Sequence, residues 1–165
     1  MAILVLDGHS LGVAIIDESD WGFVSSLRGS GHRFYLYGGS KKLGRRYVGV
    51  ASPSPRGLRV ESYLQNLLLP DAEEVDHINR DTLDYRRENL RPCSHRENML
   101  NQTRKSKSSN LPKGVYAYKE GYRATIRIVG GKRLAAFFKK LDDAHRWYNE
   151  MAQLHHGAFA CVDPL

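Results

Sequence analysis

Residues 75–101 read VDHINRDTLDYRRENLRPCSHRENMLN, and this stretch decides the fold of the middle of the chain. VDHI is typical of a short strand, NRDTLD of a turn rich in Asn and Asp, and ENLRP of a second brief strand. Ser94, followed three residues later by Glu97, forms a capping box, which predicts a helix from residue 95 to about 104. The predicted local order is therefore strand, turn, strand and helix.

Four polar side chains in this stretch suit the hydrolysis of a phosphodiester, which needs a base to activate water and a cation to neutralise charge. His77 is the candidate base, because an imidazole titrates near neutral pH. Asp76 offers the anionic oxygen that Mg²⁺ or Mn²⁺ prefers, and Asn98 on the helix would complete that metal site. Alternation along the strand sends Asp76 and His77 in different directions. Asn89, expected on the second strand, is placed to orient His77 by a hydrogen bond.

Plainer interpretations of the same residues exist. An Asp-His pair in a loop and an Asn-rich turn are ordinary turn chemistry. Arg86, Arg87 and Arg91 suit contacts with a DNA backbone, but a solvated basic face explains them almost equally well. His95 is either a phosphate contact or a surface residue at the helix start. The spacing of the four polar residues, within a strand-turn-strand-helix order, favours the catalytic interpretation.

The stretch resembles the signature of phage and intron-encoded HNH homing endonucleases, in the version whose third position is asparagine. The similarity covers Asp76-His77, Asn89 twelve residues after the histidine, and Asn98 nine residues further on. The resemblance implies a ββα-metal fold, one Mg²⁺ or Mn²⁺ ion per active site and no zinc, and cleavage of double-stranded DNA to 5′-phosphate and 3′-hydroxyl ends. It assigns His77 as general base, Asp76 and Asn98 as metal ligands, and Asn89 as the residue that orients the histidine.

The composition is that of a globular protein. The chain has 165 residues, 41% hydrophobic and 26% charged, which suits one ordinary domain or two small modules. No apolar run approaches the ~20 residues of a membrane span, and the opening MAILVL lacks a basic leader, so we expect a cytoplasmic protein with no membrane partner. Cys93 and Cys161 lie far apart, which excludes a disulfide framework and a four-cysteine zinc site.

Positive charge is concentrated in the second half. The net charge is +7, yet residues 91–140 hold 13 Lys or Arg against two Glu, whereas residues 1–90 hold 11 against 12 acidic residues. A polyanion is therefore the expected partner of the second half. DNA is favoured over RNA, although the basic segment near residue 105 would tolerate RNA.

The carboxy-terminal region is predicted to be a three-stranded antiparallel sheet packed on one helix. GVYAYK, YRATIRIV and KRLAAFF read as strands, and LDDAHRWYNEMAQLHHG reads as a helix. The expected sheet-facing residues of the helix are Ala144, Trp147, Tyr148, Met151 and Leu154. In the middle strand Ala124 and Ile126 should face the helix, and Arg123, Thr125 and Arg127 should face away from it.

Residues 114–160 resemble the APETALA2-type DNA-binding domain, in which the sheet enters the major groove. The opening Gly-Val, the ATIR strand, Phe138 ahead of Asp-Asp-Ala and the final helix carry the similarity. This chain departs from the plant pattern at Leu134, where a tryptophan is usual, and at Thr125, where an acidic residue is usual. The resemblance assigns DNA contacts to Tyr116, Tyr118, Arg123, Thr125, Arg127 and Lys132.

The amino-terminal region reads as a run of short strands from Ala2 to about Val60, which predicts a small antiparallel β subdomain, followed by one helix over residues 61–69. We expect it to bind DNA or to act as a scaffold. The predicted organisation is α+β: a β-rich subdomain (1–70), an HNH ββα-metal motif (71–104), a basic linker (105–112) and an APETALA2-like domain (113–160). The candidate DNA contacts in and beside the linker are Arg104, Lys105, Lys107 and Lys113.

The sequence therefore predicts a site-specific, metal-dependent DNA endonuclease that acts as a monomer. One active site per chain predicts a nick in one strand, and the resemblance suggests a homing role for a phage gene in a bacterial host. The competing class is a DNA-binding regulator that keeps the fold without the activity.

Overall fold

The computed structural model describes residues 1–8, 12–37, 46–54, 57, 59–103 and 110–162, so Arg104, Lys105 and Lys107 lie outside the described residues. The fold is α+β, with several small sheets and few helices. The chain divides into two compact units, Met1–His95 and Arg96–Leu165. The predicted boundary after residue 70 falls inside the first unit. Within the described ranges, no helix has both the length and the apolar character needed to cross a membrane.

The described strands of the first unit form three small sheets. Its strands are β1 (Ala2–Val5), β2 (Val13–Ile16), β3 (Arg33–Tyr37), β4 (Tyr47–Ser52), β5 (Arg59–Tyr63), β6 (Glu74–His77), β7 (Asp84–Tyr85) and β8 (Leu90–Cys93). Antiparallel pairs join β1 to β2, β3 to β4, β4 to β5, and β6 to β8. The exception is β7, which pairs in parallel with β2. The predicted single antiparallel subdomain is therefore wrong, because the early strands divide between two sheets and one of these sheets includes a strand from the HNH stretch.

Helix α1 (Trp21–Gly29) was not predicted. It shows little helical pattern, because only Val24 is fully buried, Trp21 and Phe23 are exposed, and Gly22 lowers the helix propensity. Helix α2 (Leu64–Leu68) begins three residues later than residue 61, because residues 61–63 are extended in β5. Helix α3 (His95–Asn101) begins directly after Ser94, as the capping box predicts.

One core holds the first unit together. It joins Leu4, Ile16, Phe34, Val48, Leu64, Val75, Tyr85 and Leu90 with smaller neighbours, so residues before and after position 70 pack in the same cluster. Tyr85 is fully buried, and its hydroxyl oxygen accepts a hydrogen bond from the Val48 amide at 2.7 Å. This bond connects β7 to β4. Burial raises the pKa of the Tyr85 hydroxyl, which stays protonated.

The second unit contains the predicted three-stranded sheet and helix. Strands β9 (Val115–Tyr118), β10 (Gly121–Arg127) and β11 (Arg133–Phe138) are antiparallel with β10 in the middle, and α4 spans Leu141–His156. Ala124 and Ile126 are buried with Ala144, Tyr148 and Ala152 of the helix. Leu154 was expected in this core but is 70% exposed. It lies off the stripe formed by the residues that repeat every four positions.

Candidate active site

The HNH stretch forms a two-stranded hairpin followed by a helix. In the β6–β8 ladder Asp76 lies opposite Arg91, and His77 lies opposite Leu90. One further backbone bond, from the Ile78 amide to the Asn89 carbonyl at 2.8 Å, extends the ladder beyond His77. The predicted order of strand, turn, strand and helix is therefore present.

His77 lies at the end of β6 and is only 4% exposed. Its ring meets the Tyr85 ring edge-on at 5.2 Å and lies 6.1 Å from the Tyr47 ring, measured between centroids. Burial lowers the pKa of the imidazole to about 4, although the nearby carboxylates of Asp76, Asp81 and Asp84 oppose this effect. The ring is therefore neutral at physiological pH, which is the state in which it can accept a proton.

Asp76 is also buried, and its carboxylate is held by Arg91 on the opposite strand. The Arg91 Nε and one terminal nitrogen both donate to Asp76 Oδ2, at 2.9 and 2.5 Å. Two donors from one guanidinium fix the orientation of a carboxylate more strongly than a single bond does. Asp76 thus has an ion-pair partner of its own, and the role of Arg91 as a DNA contact remains a prediction.

Asn89 does not hydrogen-bond to His77, which corrects the expected contact. Its side-chain oxygen accepts from the Asn79 amide at 2.8 Å, and its side-chain nitrogen donates to the Asp84 carbonyl at 2.7 Å. Asn89 also lies in a short 3₁₀ turn (Arg87–Asn89) directly before β8, not in the strand. The buried amide therefore ties together both ends of the 79–84 turn, which follows His77, and any effect on the imidazole is indirect.

The turn itself is held by side chains. The Asn79 side chain donates to Asp84 Oδ2 at 2.9 Å, and Asp81 accepts from the Leu83 amide at 3.0 Å. Arg86 grips Asp84 with two nitrogens, at 2.9 and 2.7 Å, and this hydrogen-bonded contact lowers the pKa of the Asp84 carboxyl. The NRDTLD segment is thus a turn, as predicted, and Arg86 is part of its framework.

Arg87 connects the active-site turn to the amino-terminal region. Its guanidinium binds both oxygens of Asp20 at 2.9 and 2.6 Å and donates to the Leu68 carbonyl at 2.8 Å. The Arg87 amide donates to Asp17 at 2.6 Å. Residues 17–20 thereby hold the 3₁₀ turn that carries Asn89. Contacts of Arg86 and Arg87 with DNA stay predictions, and neither guanidinium lacks a partner within the chain.

The fourth predicted residue, Asn98, is half-buried in α3 and belongs to the second unit. Its pairing with Asp76 around one ion remains a prediction. The described residues contain no group of three or more His, Cys, Asp or Glu side chains that would hold a metal. A site made of Asp76 and Asn98 contains one residue of those types, so this absence does not bear on it. His95, at the start of α3, bonds Glu74 through Nδ1 at 2.7 Å.

In the second unit, the sheet face opposite α4 is basic and aromatic. Cross-strand pairing places Arg123 beside Tyr116 and Phe137, and Arg127 beside Arg133. Arg133 and Phe137 were not predicted, although the alternation of β11 contains the signal. All of these paired residues except Phe137 line a groove of about 700 Å³, whose lining also includes Thr125, Tyr118, and Tyr148 and His156 of α4. We call the described face formed by Tyr116, Tyr118, Arg123, Thr125, Arg127, Arg133 and Phe137 the basic sheet face.

Two predicted DNA contacts of this unit, Lys132 and Lys113, lie outside the three strands, although Lys113 also lines the groove. Lys132 is exposed in the turn between β10 and β11, outside the strand alternation. Lys113 donates to the carbonyls of Leu100 and Gln102, both at 2.6 Å. It therefore caps the end of α3, where a cation is favourable beside unpaired carbonyls.

Residues 68–100 match a family model described as HNH endonuclease, HNH_3. The matched segment begins at the last residue of α2 and includes β6, β7, β8 and most of α3. No curated protein and no solved structure matches the chain. The match supports an HNH nuclease, and thus a DNA-cleaving hydrolase, over the segment that contains His77.

Proposed function

We propose that the protein is a divalent-metal-dependent DNA endonuclease of the homing type, in which His77 acts as the general base. The observation that carries this proposal is the buried, neutral imidazole at the end of β6, within the segment that matches the HNH endonuclease model. A neutral imidazole accepts a proton from water as the water attacks phosphorus. The residues around it fix its position, because the adjoining turn is tied at both ends by Asn89.

The donors fit a hard cation. A carboxylate from Asp76 and an amide oxygen from Asn98 are the ligand types that Mg²⁺ and Mn²⁺ prefer. When bound, such an ion supplies positive charge that stabilises the phosphate and the departing 3′ oxygen. Arg91 holds the Asp76 carboxylate in place through an ion pair. Oxygen donors of this kind do not form a zinc site of the Cys-rich type.

The second unit is proposed to hold the target DNA. Arg123, Arg127 and Arg133 share one face with exposed tyrosines. Such side chains can bind both the phosphates and the base edges of DNA. An APETALA2-like arrangement would place this sheet in the major groove. The expected reaction is a nick in one strand that leaves 5′-phosphate and 3′-hydroxyl ends, by a monomer encoded in a phage genome.

The test is nicking of a supercoiled plasmid that carries the natural target, with Mg²⁺ or Mn²⁺ added. We expect nicking by the wild type and a loss of at least a hundredfold in His77→Ala, since general-base catalysis contributes about 10²–10⁴-fold. His95→Ala is the matched control, because this exposed histidine bonds Glu74 at the start of α3. Equal nicking by His77→Ala and His95→Ala would refute the role of His77.

A second candidate function is a DNA-binding regulator without cleavage activity. The observation that favours it is the ion pair with Arg91, which engages the Asp76 carboxylate that the first proposal assigns to the metal. This alternative predicts that neither metal produces a nick on the natural target, while binding of that target persists in EDTA.

A further inference from the structure

Three tyrosines form a cluster on one face of the β3–β4–β5 sheet, next to His77. Tyr37 and Tyr47 are register partners, and Tyr63 lies opposite Gly49, two residues along β4 from Tyr47. Residues two apart on a strand share a face, so the three side chains project together. The ring of Tyr63 lies 6.1 Å from the Tyr37 ring and 5.5 Å from the Tyr47 ring, tilted by 46° and 57° to them. We call these residues the tyrosine cluster.

The cluster leads from the surface to the candidate active site. Tyr37 is 48% exposed, Tyr47 and Tyr63 are half-buried, and the Tyr47 ring is the one that lies 6.1 Å from His77. The other face of the sheet packs into the core through Phe34 and other buried residues. The tyrosine face therefore does not form the core of the sheet, and it is continuous with the imidazole that the proposed function places at the scissile phosphate.

The ring spacing discriminates between kinds of DNA. Successive bases in a duplex strand are about 3.4 Å apart, whereas neighbouring rings of the cluster are 5.5–6.1 Å apart. A continuous base stack cannot place successive bases on successive rings. Bases that have left the stack can do so, and aromatic rings accept any base by its flat face.

Charge also favours a nucleic-acid strand over an acidic or cationic partner. Strands β3, β4 and β5 contain one acidic residue, Glu61, and two basic residues, Arg33 and Arg59. Arg33 on β3 and Arg46, directly before β4, are both exposed. A surface of aromatic rings with cations beside it binds single-stranded DNA through stacking and phosphate contacts.

We infer that the tyrosine cluster binds unstacked bases of the DNA strand beside the scissile phosphate. This inference rests on the proposed function, and it extends the substrate from duplex DNA to a duplex that is opened near the cleavage position. It gives the amino-terminal region a direct part in DNA binding, through Tyr37 and Tyr63.

The experiment compares binding of the full chain, in EDTA, to a duplex with a short internal bubble and to the same duplex fully paired. We expect the wild type to bind the bubble more tightly than the paired duplex. In Tyr37→Ala or Tyr63→Ala the ratio of the two affinities should fall on the order of tenfold, since one base stacked on one ring contributes about this much. Tyr37→Phe keeps the ring and should keep the preference. Phe23→Ala is the matched control, because Phe23 is an exposed aromatic residue on α1.

The inference would be overturned if the wild type bound both substrates equally. It would also be overturned if Tyr37→Ala and Tyr63→Ala kept the preference for the bubble. Either result would indicate that the tyrosine face binds a protein partner. Nicking with Mg²⁺ is measured in parallel on the natural target. A preference for the bubble without nicking would overturn the proposed function, and the inference that the tyrosine cluster binds unstacked bases would stand. Nicking without bubble preference would overturn the inference alone.

Discussion

The burial of His77 predicts that folding of the first unit depends on pH through this one side chain. The pKa of His77 is lowered from 6.5 to about 4 in the folded chain, chiefly because burial disfavours the charged ring. The unfolded state therefore binds more protons between these two values, and stability is lost as the pH falls through this window. The difference corresponds to about 3 kcal/mol in the free energy of unfolding, most of which should be lost by pH 4.5.

The assay is urea unfolding at pH 7.5 and at pH 4.5, for the wild type and for His77→Gln. The chain has two tryptophans, Trp21 in the first unit and Trp147 in the second, so the substitution Trp147→Phe in both proteins restricts the fluorescence signal to the first unit. Glutamine does not titrate. We expect the wild type to lose about 2–3 kcal/mol more than His77→Gln on acidification.

Parallel loss of stability in the two proteins would refute this reasoning. A direct check is the titration of the His77 ring by nuclear magnetic resonance, with His77→Gln used to assign its signal. A midpoint near 6.5 would show that the imidazole is solvated, and the argument from burial would be wrong.

Three further outcomes are expected. Asp20→Asn removes the carboxylate that Arg87 grips, and it should lower the free energy of unfolding by about 1 kcal/mol, since Arg87 is partly exposed. Tyr85→Phe leaves the buried Val48 amide without its partner and should cost about 1–3 kcal/mol in urea unfolding. Arg133→Ala should weaken DNA binding and reduce the slope of log affinity against log salt by about 1, as expected for one phosphate contact.

Two of these outcomes, those of Asp20→Asn and Arg133→Ala, have a matched control in the chain. Glu18→Gln alters an exposed carboxylate beside Asp20 and should leave stability unchanged within about 0.5 kcal/mol. Arg146→Ala removes the same charge as Arg133→Ala, but from an exposed position on α4. Equal salt slopes for the two arginine variants would contradict the proposed role of the basic sheet face in DNA binding.

The sequence predicts those parts of the fold whose signals are local. The strand-turn-strand-helix order around His77 follows from turn residues and a capping box, and the two faces of β10 follow from simple alternation. Helix α1 was missed because only one of its residues is fully buried, so its apolar pattern is weak. The strand β7 has only two residues, and its partner lies about seventy positions earlier in the chain.

For the candidate site, the sequence predicts which side chains lie at the hairpin, but it does not predict which groups these side chains contact. The structure brings the predicted residues Asp76, His77 and Asn89 together, buried at one hairpin, and their roles stay predictions. That Asn89 binds the backbone of a turn, and that Arg87 binds Asp20, depends on chain segments brought together by folding. Such pairings have no sequence signature, because either side chain would read equally well as a solvent-exposed polar group.

The parallel pairing of β2 with β7 limits how the nuclease segment can be engineered. A fragment cut out at residues 71–104 would lose β2, which pairs with Asp84 and Tyr85, and also β4, whose Val48 amide donates to the Tyr85 hydroxyl. The exposed edge of β7 would then offer unpaired backbone groups to other chains, which promotes aggregation. A chimaeric nuclease built from this protein therefore has to inherit the amino-terminal residues together with the HNH segment.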